Sequence, residues 1–139
     1  MVTVEENKAL VSRYFQEFHH GREHAILEEI MTPDLLGGTK HLTEMLLTAF
    51  PDYRVTIEEQ IAEGDKVATV WTGSGTHEGE WESPAGTIAP TGKRVRWTGT
   101  TTLRLSEGRI SEVIATNWDH LGILQQLGSV DVTEPRTGA

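Results

Sequence analysis

Between Val4 and about His19 the apolar positions Val11, Tyr14, Phe15 and Phe18 fall at i, i+3, i+4 and i+7, which lays one buried stripe along a helix. Gly21 interrupts the stripe. Ile26, Leu27, Ile30 and Met31 predict a shorter helix stopped by Pro33. Leu42, Met45, Leu46 and Ala49 predict a third helix over roughly Thr39 to Phe50, ended by Pro51. After Pro51 the period drops to two. Tyr53, Val55 and Ile57 alternate with Arg54, Thr56 and Glu58 as a half-buried strand. Glu63-Gly64-Asp65 marks a turn into a second strand through Val67, Thr69 and Trp71 that ends near His77.

Pro84-Ala85-Gly86 and Pro90-Thr91-Gly92 bound a loop. Val95, Trp97, Gly99, Thr101, Leu103 and Leu105 then share one face of a long strand, with Arg94 to Arg104 at even positions on the other. Gly108 turns the chain into a last strand, Arg109 to Trp118. Leu121, Leu124 and Leu127 close the pattern with a helical turn or two, capped by Gly128. Residues 129–139 offer nothing to bury and are expected to be disordered. Gly73, Gly75 and Gly99 lie inside strands, where glycine weakens a sheet unless the sheet bends or a backbone comes close. Helices first, then a meander of long bent antiparallel strands, is an α+β arrangement in one domain spanning residues 1–128. Its helices cover the concave face, giving a cone-shaped sheet with an open mouth.

Composition narrows the partners. The chain of 139 residues carries a net charge of −9, which argues against nucleic acid, since phosphate binding needs clustered Lys and Arg. The short basic run Lys93-Arg94-Val95-Arg96 reads as a charged turn and solvent face. No apolar run approaches the roughly 20 residues of a membrane span. The N-terminal segment lacks the basic start and apolar core of a signal peptide, so a cytoplasmic location is expected. Without cysteine there are no disulfides, thiolate ligands or thiol nucleophiles.

The runs Phe50-Pro-Asp-Tyr-Arg-Val55, Ala62-Glu-Gly-Asp-Lys-Val67, Gly75-Thr-His77, Pro90-Thr-Gly92, Trp97-Thr-Gly99 and Asn117-Trp-Asp119…Gln125-Gln-Leu-Gly128 together resemble the SnoaL-like ester and polyketide cyclases. The resemblance spans about residues 5–128. It implies the nuclear transport factor 2-like (cystatin-like) α+β barrel, a small-molecule pocket inside the cone, no cofactor, and a homodimer. It also implies ring closure of an aromatic polyketide by intramolecular aldol condensation, with a carboxylate as acid–base. Two features depart from the family pattern. Counted from the Glu107-Gly108 turn, Ala115 or Thr116 stands where the catalytic Asp is expected, and Thr101 where the supporting His is expected. Neither replacement shuttles protons at neutral pH. The segment from Pro33 to Thr39 is also short where many relatives have a longer loop.

Among candidate site residues Asp119 comes first. Strand alternation places Val113, Ala115, Asn117 and Asp119 on one face, so a concave orientation brings Asp119 to the pocket rim as an acid or base. Asp119 is equally a good N-cap for the final helix. His77, at a strand end, is either its proton-transfer partner or a turn residue. Asn117 and Tyr14 are candidates for orienting a substrate. Phe18, Trp71 and Trp97 are core aromatics of which some line the cavity, together with Thr101. His19, His20, His24 and His41 lack a metal-binding pattern such as HExxH and read as structural or solvated, so no metal is expected.

The resemblance, taken with these candidate residues, implies a cofactor-independent cyclase or isomerase acting on a hydrophobic small molecule. A carrier for an apolar metabolite is the second reading. An epoxide-opening enzyme is the third, and it requires Asp119 to converge with Asp34 or Glu112. The convex sheet face, with Thr98, Thr100, Thr102 and Trp118, is the expected dimer surface.

Overall fold

A computed structural model describes residues 2–20 and 22–129. The expected tail, apart from Ser129, lies outside the described residues. Helix α1 (Val4–Arg13) opens on Thr3, whose hydroxyl accepts from the Glu6 amide at 3.1 Å. It runs directly into a π-helical stretch, Tyr14–His20. A wider turn here presents four aromatic rings, Tyr14, Phe15, Phe18 and His19, in mutual contact.

Helix α2 (Ile26–Ile30) buries Ile26, Leu27 and Ile30. Helix α3 (Pro33–Ala49) starts six residues earlier than the apolar stripe alone indicates. Pro33 occupies its first turn, where a missing N–H costs nothing, and Asp34 follows near the positive end of the dipole. The helix runs on through Gly37 and Gly38, where an added Cβ would meet nothing within 4 Å.

The sheet has the order β1-β2-β5-β6, all antiparallel: β1 (Arg54–Glu63), β2 (Lys66–Thr76), β5 (Arg94–Ser106) and β6 (Arg109–Trp118). Between β2 and β5 the segment expected as loop forms a small hairpin, β3 (Trp81–Ser83) and β4 (Gly86–Ile88). Its turn at Pro84-Ala85 ends on Gly86, whose φ of 109° lies outside the range of ordinary side chains. Helix α4 (His120–Gln126) closes the described chain.

The concave face of the sheet lies against α1, its π-helical extension and α3. The core there includes Phe18, Leu27, Phe50, Trp71 and Ile110, each at most 2% exposed. Curvature has a visible cause at Gly99 and Gly73. A Cβ on Gly99 would sit 2.2 Å from the Trp71 ring, and one on Gly73 would sit 2.9 Å from the Trp97 ring. The two indoles lie flat on backbone that no other residue could offer.

Strand β6 does not alternate simply. Leu105 pairs with Ile110 and Arg104 with Glu112; Leu103 pairs with Val113 and Thr102 with Ala115. Each step skips one residue, so Ser111 and Ile114 are bulged. The inward positions of β6 are therefore Ile110, Val113, Thr116 and Trp118.

Candidate active site

A cavity of about 100 Å³ opens between the helical layer and the concave sheet. The N-terminal helix supplies Tyr14, Phe15 and His19; α3 supplies Thr39, Leu42, Thr43 and Leu46. Tyr53 enters just before β1, Trp71 from β2, Thr101 and Leu103 from β5, and Val113, Thr116 and Trp118 from β6. Leu42 is 63% exposed and Val113 40% exposed, which places the mouth between α3 and the edge strand β6. Among the described residues no Asp or Glu lines this space.

The polar groups are few and neutral. Burial pushes the phenols of Tyr14 and Tyr53 well above their ordinary range, at Tyr53 with neighbouring Tyr14 adding to the shift and Arg22 opposing it, so both are hydrogen-bond donors. Burial lowers the His19 imidazole to about 3, and the nearby Arg22 guanidinium adds to that shift. His19 is thus uncharged throughout the physiological range, and its Nδ1 has no hydrogen-bond partner among the described residues. The ring stands edge-on to Tyr14 at 4.6 Å between centroids. Arg22, with a φ of 62°, donates to the backbone carbonyls of His19, Pro51 and Tyr53, the last at 2.7 Å. Its cationic head therefore fixes the two backbone segments that carry His19 and Tyr53.

Nearer the mouth, the Trp71 indole N–H donates to the Thr101 hydroxyl at 3.0 Å, and the Thr101 and Thr116 hydroxyls lie 2.9 Å apart. Trp118 stacks on Trp97, which stacks in turn on Tyr53. A wall of aromatic rings thereby continues from the mouth to the deep end.

Of the residues expected at the site, Tyr14, Trp71 and Thr101 line the cavity. Phe18 is fully buried and stacks on Tyr14 from behind, and Trp97 backs Trp118 and Tyr53. Asn117 pairs with Thr100 on the convex face and is exposed, because the bulge at Ile114 shifts the alternation that runs on from Val113 by one residue. Trp118 faces the cavity for the same reason, rather than the convex surface. Asp119 is exposed, and its Oδ1 accepts from the Gly122 amide at 2.9 Å as the N-cap of α4.

His77 is fully buried away from the cavity beside Phe50. Its Nδ1 lies 3.0 Å from the Thr91 hydroxyl and accepts from the Thr91 amide, pinning the loop before β5. Burial lowers its pKa, with the Gly79 and Ile88 carbonyls pulling the other way. Asp119 and His77 are thus not brought together. Asp34 and Glu112 also lie outside the cavity lining, Glu112 in an ion pair with Arg104.

The side chains that sequence reasoning passed over are His19, Tyr53 and Trp118. His19 follows Phe15 by four residues and so extends the same apolar stripe. That spacing was the available signal.

The sequence profile of the SnoaL-like polyketide cyclases matches residues 9–127. This chain belongs to that family. Solved structures agree on the fold. AclR from Streptomyces galilaeus, a candidate hydroxylase, is 24% identical over 95% of this chain and 91% of its own, with a TM-score of 0.78. A candidate SnoaL-like polyketide cyclase from Jannaschia sp. CCS1 is 19% identical over 94% and 98%, at 0.77. IdmH from Streptomyces antibioticus, a candidate polyketide cyclase, is 22% identical over 88% and 98%, at 0.73. No curated protein gives a significant match. Of the positions counted from the Glu107-Gly108 turn, Thr101 and Thr116 form a hydrogen-bonded pair of hydroxyls, whereas Ala115 pairs with Thr102 on the convex face. Among the described residues no three His, Asp or Glu side chains group as metal ligands, and no helix is long and apolar enough to cross a membrane.

Proposed function

We propose that this protein cyclises a hydrophobic, carbonyl-bearing, polyketide-like molecule inside the cone by proton transfer alone. The observation that carries the reading is the deep end of the cavity, where two protonated phenols and one neutral imidazole face the same apolar space. In an aldol closure, Tyr14 or Tyr53 donates to the carbonyl oxygen while His19 accepts the proton from the adjacent carbon. The resulting enolate carbon attacks a second carbonyl, and the imidazolium returns its proton to the new alkoxide. Burial keeps His19 in the acceptor form but makes it a weak base, so the enolate's developing negative charge has to stabilise the imidazolium as it forms. Phenol donors fixed in a water-poor cavity stabilise the oxyanion without reorganising. The aromatic walls fold the substrate so that its ends meet.

The cavity is smaller than the roughly 300–1,000 Å³ of common ligand sites. A polyketide-sized substrate therefore enters by displacing the α3 rim at Leu42. The proposal includes a homodimer through the convex face, where Ile61, Ala68, Thr102 and Ala115 form a cross-sheet row and Ile61 is 62% exposed. Sedimentation velocity tests that part.

The reaction is tested with ortho-diacetylbenzene, an aromatic diketone that closes by aldol chemistry. Product formation above the buffer rate is expected, falling on the order of a hundredfold in His19→Phe and in Tyr14→Phe. Equal rates in wild type and both variants would remove the acid–base assignment. That no carboxylate lines the cavity among the described residues favours a carrier as the second reading, which predicts binding with no conversion.

A further inference from the structure

The hydrogen bonds near the mouth have a direction. An indole N–H can only donate, so the Thr101 oxygen accepts from Trp71. Thr101 is 6% exposed, and its hydroxyl has one other partner, the Thr116 oxygen at 2.9 Å. If Thr116 donated to Thr101, the buried Thr101 proton would face no acceptor, which costs about as much as a lost hydrogen bond. Thr101 therefore donates to Thr116, and the chain runs Trp71 to Thr101 to Thr116. The Thr116 proton is left over, on an exposed hydroxyl lining the mouth. Each donation polarises the next, so the terminal hydroxyl is a better donor than an isolated threonine.

We propose that Thr116 is a specificity residue, the end of a directed donor chain that selects ligands carrying an acceptor oxygen at the mouth of the cavity. This deepens the cyclase reading and rests on that cavity being the binding site. With phenol donors at the deep end and a hydroxyl donor at the mouth, the cavity suits a molecule with at least two acceptor oxygens, one near each end. A diketone meets that description; a hydrocarbon or an amine does not.

The chain is tested by tryptophan-fluorescence titration of the full-length protein with alpha-tetralone and with tetralin, two matched bicycles differing by one carbonyl oxygen. Wild type is expected to prefer the ketone. Thr116→Val removes the donor at constant shape and should shrink that preference about three- to tenfold, the worth of one net hydrogen bond, while tetralin binding stays within about twofold. Thr116→Ser keeps the donor and should restore the preference. The carbonyl stretch of bound alpha-tetralone should lie at higher frequency in Thr116→Val than in wild type. An unchanged preference and stretch in Thr116→Val, measured also in a Tyr14→Phe/Tyr53→Phe background that removes the deep donors, would overturn the donor assignment while leaving the cavity as the binding site. Failure of both ligands to bind wild type would instead overturn the site itself, and this inference with it.

Discussion

Gly99→Ala is the sharpest test of how the sheet holds its shape. The added methyl would lie 2.2 Å from Cζ2 and 2.5 Å from Cη2 of Trp71. Carbon atoms settle at about 3.5 Å or more, so ring or strand must give by about 1.3 Å. Trp71 borders the cavity but is held in place: it is 2% exposed, bonded to Thr101 at 3.0 Å, and edge-on to Trp118. Overpacking of a filled core costs about 1–3 kcal/mol, and a shift of that size also breaks the indole hydrogen bond, worth about 1 kcal/mol. The expected loss is about 2–4 kcal/mol, read as a lower urea midpoint by far-UV circular dichroism at constant m-value. Gly73→Ala is the internal comparison. Its methyl meets Trp97 at 2.9 Å, so a shift of about 0.6 Å suffices and the loss should be about 1–2 kcal/mol. A Gly99→Ala loss below about 1 kcal/mol, or one smaller than that of Gly73→Ala, would refute the claim that indole packing on bare backbone sets the curvature.

Three further outcomes are expected. His19 has a folded pKa of about 3 against 6.5 in an ordinary environment, so below pH 6.5 the unfolded chain takes up a proton that the native state refuses. Stability should be full above about pH 6.5 and fall by about 2 kcal/mol on going to pH 5; the drop should shrink in His19→Phe, with the remainder including His77, which shifts the same way. Asp119→Ala should cost about 0.5–2 kcal/mol of stability through the lost cap of α4, yet leave ligand affinity and turnover unchanged in the assays above. Gly37→Ala, inside α3 with nothing within 4 Å, should stabilise the protein by about 0.5–1 kcal/mol by thermal unfolding, and a loss there would contradict the open surface around it.

Much of this architecture is legible in the residue pattern. The odd positions of β5, Val95 to Leu105, face the core as their alternation indicates, and Thr101 reaches the cavity from that face. Tyr14 and Trp71 were likewise within reach of simple periodicity. The boundary of α3 was not, because Pro33 and two glycines look like a stop when read forward and like a first turn only when the helix is known. Asn117 and Asp119 were misplaced because alternation carried on from Val113 assumes an unbroken ladder, and β6 breaks its ladder at Ile114. His19 was hidden by composition. A histidine among other histidines suggests solvent, whereas the π-helical turn rotates this one into the aromatic wall.

The two bulges carry a consequence for how such chains diverge. Each places two successive residues, Ser111-Glu112 and Ile114-Ala115, on the outer side of β6 before the next residue turns inward. Deleting one member of either pair would straighten the strand and leave Val113, Thr116 and Trp118 facing the cavity. By this geometry a single-residue deletion at either bulge leaves the working surface in place. Homologous chains can differ in length between the Glu107-Gly108 turn and the functional position, and counting from the turn then lands one residue off. Alignment by the inward-facing column, anchored on the partner of Thr101, keeps the comparison in frame.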